Sequence, residues 1–167
     1  MNNHDPIVGR YVYVTCQGKT YRTYYEENGE GIPMVCLHTA GTDGRQYRHQ
    51  ICDPDMASNF RMIAFDMPWH GKSLPPSDFH LMEDEYKLTT AFYGEFIVAF
   101  CRALDLKKPV IMGQSMGGNT PFFATGTIKR RGFVRTVCVG AAPANKGLSC
   151  VSSSGKAGAG NASGSVW

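Results

Sequence analysis

A short apolar run, Pro109-Val110-Ile111-Met112, leads directly into Gly113-Gln114-Ser115-Met116-Gly117-Gly118, and no other stretch limits the possible folds as tightly. Four apolar residues between breakers read as a strand too short to be a helix. Glycines two positions either side of a serine answer a steric demand. They let a strand reverse into a helix so sharply that side chains there would strike the neighbouring elements. A strand followed at once by a helix is the unit of a parallel sheet covered on both faces.

The rest of the chain repeats that alternation. Tyr11 to Cys16 and Lys19 to Glu26 alternate in polarity about Gln17-Gly18 and predict an antiparallel hairpin. Pro33 to His38 and Arg61 to Asp66 are continuous apolar runs, the pattern of buried strands, with a short helix expected over Arg45 to Cys52. From Leu88 to Leu104, Phe92, Phe96, Ile97, Phe100 and Leu104 recur at helical spacing and predict an amphipathic helix. A helix is expected to start after Ser115, and Phe133 to Val139 reads as a further strand. The fold class is therefore α/β, a mostly parallel open sheet with helices on both faces. In such sheets functional groups gather at the carboxyl ends of the strands, where His38, Asp66 and Ser115 fall.

The chain has 167 residues, of which 43% are hydrophobic and 11% aromatic, enough for one domain with a core. Residues 1–148 are read as that domain and 149–167, rich in Ser, Gly and Ala, as a flexible tail unable to bury enough surface to order itself. The formal charge is +3, and every charge after Ser115 is basic. These cations lack interleaved aromatics, so no nucleic acid partner is expected. No stretch is long and apolar enough to suggest a membrane span, and no secretory signal is read at the amino terminus, which points to the cytoplasm. Cys16, Cys36, Cys52, Cys101, Cys138 and Cys150 are scattered, as suits reduced thiols, and none has metal-ligand spacing. Without a Gly-x-Gly-x-x-Gly fingerprint, no organic cofactor is expected.

His38-Thr39-Ala40-Gly41 follows the first buried strand, and Asp66-Met67-Pro68-Trp69-His70-Gly71-Lys72-Ser73 follows the second. Together with the turn at Ser115, in that order, these segments make the chain resemble the α/β-hydrolase fold family over roughly Gly9 to Ala142. The resemblance implies Ser115 as nucleophile, Gly113 and Gly117 as the glycines of its turn, and the backbone N–H groups of Ala40 and Met116 as the oxyanion hole. It also implies a small-molecule carboxylic ester as substrate, with keto acids cleaved at a carbon–carbon bond as the alternative. Haloalkane and epoxide chemistry fits less well, because those relatives carry an aspartate where Ser115 stands.

The resemblance has departures. Thr39 replaces a usual glycine, and Pro121 falls near the second turn of the expected helix. No Asp, Glu or His follows Ser115, where the family places its acid and histidine. The likeness stops after the strand that follows the nucleophile's helix, leaving that strand as an apolar edge through which copies of the chain would associate. His38 and His70 are expected to hydrogen-bond loop backbone rather than serve as base, and Asp66 to order its own turn. His4, His49 and His80 read as surface or loop residues. Two accounts follow: part of a complete serine hydrolase, impaired as it stands, or a short form that binds a ligand or partner without turning it over. Completion of the site by another chain is a third.

Overall fold

The computed structural model describes residues 4–80, 82–85, 88–117 and 135–139. Its strands form one sheet in the order β1-β2-β4-β3-β5-β6. β1 (Val8–Cys16) and β2 (Lys19–Asn28) form the expected hairpin. Gln17 (φ +50°) and Gly18 (φ +77°) both take the left-handed conformation that suits a two-residue turn between twisted strands.

β2 pairs antiparallel with β4 (Phe60–Phe65), while β4, β3 (Ile32–Leu37), β5 (Val110–Gln114) and β6 (Arg135–Val139) run parallel. The sheet is therefore mixed: its parallel half follows the alternation of apolar runs, and the hairpin joins it through the antiparallel pairing of β2 with β4. Only β2 runs against the parallel half, because β1, reversed from β2, runs the same way as β4.

Side chains of the central strands point alternately to two cores, as the two-residue period of a strand requires. Val35, Leu37, Ile63 and Phe65 face α3 (Thr90–Ala103), whose Phe92, Phe96, Ile97 and Phe100 fill the larger core. Phe65 stacks on Phe100 with ring centroids 4.2 Å apart. Met34, Cys36, Met62 and Ala64 face the other way, onto Tyr47 and Ile51. That second layer is a 3-10 helix (Gly44–Tyr47) running into α1 (Arg48–Cys52), where the sequence suggested one short helix. Helices do cover both faces of the described sheet.

α2 (Pro54–Asn59) is a helix that apolar spacing does not announce, although its start is written plainly: Asp53 accepts from the Met56 N–H at 2.9 Å and Pro54 opens the first turn. α3 starts at Thr90, two residues later than its apolar spacing suggested, because Thr89 caps it by accepting the Phe92 N–H at 3.1 Å. Burial pushes the thiols of Cys36 and Cys101 up to about 12 and that of Cys16 to about 11, so all three stay protonated. Cys52 is exposed. Met116 and Gly117 begin a helix. Its continuation through Gly118 and Pro121, the basic cluster Lys129 to Arg131, residues 133–134 of the last strand and the segment 149–167 lie outside the described residues.

Candidate active site at the carboxyl edge of the sheet

One row of the sheet fixes the site. Phe65 of β4 pairs with Leu37 of β3, Leu37 with Gly113 of β5, and Gly113 with Cys138 of β6. The segments that leave these strands therefore emerge side by side: Asp66 to Ser73, His38 to Asp43, and Gln114 to Gly117. His38, Asp66 and Ser115 share one edge, as the sequence suggested.

Ser115 is half-buried and has φ +52°, a conformation that a side chain with a Cβ rarely adopts. It stands between the last residue of β5 and the first helical residue, so the strain falls at the turn itself. Gly117 is buried beneath it. A Cβ there would lie 2.3 Å from the Leu37 carbonyl oxygen and 2.9 Å from that of His38. Both contacts are with backbone, which cannot swing aside. Gly113 is buried within β5. Ala40 is exposed in the turn after β3, and Gly41 beside it has φ +74°.

Two tyrosines hold the carbonyls that Gly117 approaches. Tyr47 donates to the Leu37 oxygen at 2.7 Å from one face of the sheet, and Tyr93 of α3 donates to the His38 oxygen at 3.4 Å from the other. Burial raises the Tyr47 hydroxyl well above its ordinary pKa, so it remains a donor. Neither tyrosine was singled out in the sequence, where each reads as an ordinary core aromatic.

His38 is fully buried, with Nε2 accepting the Met67 N–H at 3.1 Å and Nδ1 2.8 Å from the Thr39 carbonyl oxygen. An amide N–H can only donate, so Nε2 is bare and Nδ1 carries the proton. Burial lowers the pKa of His38 below 6.5, which favours that neutral ring. His70 packs against it at 4.9 Å between ring centroids and sends Nδ1 to the Pro68 oxygen at 3.0 Å.

Asp66 orders its own segment. Its Oδ1 accepts from the Gly44 N–H and its Oδ2 from the Lys72 N–H, both at 2.8 Å, while its carbonyl accepts from Ser73 Oγ at 2.6 Å. Ser73 Oγ in turn accepts the Tyr24 N–H at 2.8 Å and ties the loop to β2. Asp43 starts the 3-10 helix by accepting the Arg45 N–H, and hydrogen bonds from the Arg45 side chain hold its carboxyl below the usual range.

A strained serine between a parallel strand and a helix, flanked by two loops ordered through a buried histidine and a buried aspartate, defines a recognisable class. A family model of the alpha/beta hydrolase fold matches residues 32–135, and the chain belongs to that family.

Among curated proteins it is 28% identical over 109 residues to the dihydrolipoyllysine-residue acetyltransferase component of an acetoin cleaving system from Pseudomonas putida, covering 65% of this chain and 27% of that one. It is 25% identical over 116 residues to 2-hydroxymuconate semialdehyde hydrolase from Pseudomonas sp. (strain CF600), covering 69% of this chain and 37% of that protein. The crystal structure of an epoxide hydrolase from Vigna radiata superposes with a TM-score of 0.66 at 22% identity, over 83% of this chain and 39% of the other. The chain thus spans well under half the length of these relatives. No helix among the described residues is long and apolar enough to cross a membrane.

Proposed function

We propose that this chain carries the nucleophile and oxyanion-binding part of a serine hydrolase acting on small carboxylic esters. The observation that carries the reading is Ser115 at φ +52°, with no room for a side chain at Gly117. Such strain persists only where the surroundings over-determine it, as the close approach of Gly117 to the end of β3 does here.

In the reaction, Ser115 Oγ attacks the ester carbonyl carbon and loses its proton to a base as the new C–O bond forms. The carbonyl oxygen becomes an oxyanion held by the Ala40 and Met116 N–H groups. Collapse expels the alcohol, which takes up the proton, and water then cleaves the acyl-serine. His38 is not the base, because both of its ring nitrogens are committed to backbone.

No Asp, Glu or His follows Ser115 in these 167 residues, so the chain by itself is expected to turn over slowly. In subtilisin, losing the histidine costs about 10⁶ in turnover and leaves roughly 10³–10⁴ over water. That commitment of His38 also favours a second reading, a site that binds carbonyl ligands without hydrolysing them. The alternative chemistry is cleavage of a carbon–carbon bond in a keto acid, and the likeness to a 2-hydroxymuconate semialdehyde hydrolase keeps a substrate of that kind in view.

The test is hydrolysis of 4-nitrophenyl butyrate by the full chain and by Ser115→Ala. Slow release above buffer that vanishes in the variant supports the ester reading. Saturable binding of the ester without release supports the binding reading. Equal rates in both proteins with no saturable binding of the ester overturn both.

A further inference from the structure

We infer that Gln46 is a positioning residue that ties the loop after β3 to the serine turn. This inference rests on the proposed roles of Ser115 and Ala40. The Gln46 side chain reaches both segments at once: Oε1 accepts the Thr39 N–H at 2.9 Å and the Thr42 hydroxyl at 3.1 Å, and Nε2 donates to Gln114 Oε1 at 3.0 Å. The Thr39 N–H, which can only donate, fixes which end of the amide faces the loop. The other end must then donate to Gln114, the residue immediately before Ser115.

Gln46 stands on a fixed base. The 3-10 helix carrying it is anchored at its start by Gly44 N–H to Asp66 and at its end by Tyr47 to the Leu37 carbonyl. Gln46 holds the N–H side of Thr39, while the Thr39 carbonyl, which shares a peptide plane with the Ala40 N–H, lies 2.8 Å from His38 Nδ1, so Thr39 is fixed on both sides. An oxyanion donor is effective only when its direction is set before the reaction begins. The neighbouring Gly41, at φ +74°, gives this loop a backbone freedom that something must restrain. A bridge from a rigid helix to both halves of the site sets the spacing between the Ala40 N–H and Ser115.

The test uses the full chain with Gln46→Met, which keeps the side chain's length and removes its polar atoms, and Gln114→Met, which removes only the far end. Amide hydrogen exchange and the rate of phosphonylation by a fluorophosphonate are measured on each. Gln46→Met is expected to speed exchange at Thr39 about tenfold and leave the amides of Met34 to Leu37 unchanged. It is also expected to slow phosphonylation of Ser115 about tenfold at unaltered half-saturation. Gln114→Met is expected to slow phosphonylation too, and the double variant to lose less than the product of the two single losses. Unchanged exchange at Thr39, or wild-type phosphonylation in Gln46→Met, overturns the inference. If Ser115 in the unmodified chain takes no label, the nucleophile reading fails, and the exchange measurement still decides whether Gln46 holds the loop.

Discussion

A methyl group on Gly117 would lie 2.3 Å from the carbonyl oxygen of Leu37, so the helix after Ser115 crosses the end of β3 at a distance that only glycine permits. Tyr47 donates to that same oxygen at 2.7 Å and keeps it from moving away. Gly117→Ala must push the two segments apart or break the tyrosine's bond. We expect a loss of about 1–3 kcal/mol of stability, the usual cost of overpacking, measured by chemical denaturation at an unchanged slope.

Ser115→Gly should act in the opposite direction. A left-handed conformation costs a residue with a Cβ roughly 1–2 kcal/mol that glycine does not bear, and Ser115 holds φ +52°. The variant is expected to gain about 1 kcal/mol in denaturant while losing all reaction with serine-directed reagents. Ser115→Ala, which keeps the Cβ, should show no such gain.

Asp66→Asn tests how the second loop is ordered. The carboxylate accepts two backbone N–H groups, from Gly44 and Lys72, and an amide can accept at only one of its two ends. The NH₂ end would face a donor, at a cost of about 1–3 kcal/mol. Gly71 shows how closely the loop is wrapped, since a Cβ there would lie 2.1 Å from Asp66 Oδ2.

Stability should depend on His38. Its pKa is lowered in the fold by burial, so between that lowered value and about 6.5 the unfolded chain binds a proton that the folded chain does not. The contribution is complete above about pH 6.5 and is lost as pH falls through the folded value. Denaturant midpoints measured from pH 8 to pH 5 should fall less steeply in His38→Gln, which lacks the titrating ring. An equal slope in both proteins would show that His38 does not supply the dependence.

The parts of this fold governed by local patterning were legible in the sequence. The buried strands β3, β4 and β5 announce themselves as apolar runs, α3 by its spacing, and the serine turn by its glycines. What escaped depends on contacts between distant segments. Gln46 reads as one polar residue in the short helix expected over Arg45 to Cys52 until β3 and β5 are paired, and only then does it bridge Thr39 and Gln114. Tyr47 and Tyr93 look alike as core aromatics, and their hydroxyls acquire a role only through the carbonyls at the end of β3. α2 was a different kind of miss, because Asp53-Pro54 is a helix start that apolar periodicity alone passes over.

Treating the purified chain with a fluorophosphonate and sequencing its tryptic peptides by mass spectrometry tests the central claim most directly. Ser115 lies in the peptide spanning residues 108–129, which also holds Thr120, Thr125 and Thr127. The expected result is one adduct, on Ser115, absent from Ser115→Ala. An unlabelled chain, or an adduct on a different residue that survives in Ser115→Ala, would contradict the assignment of Ser115 as nucleophile.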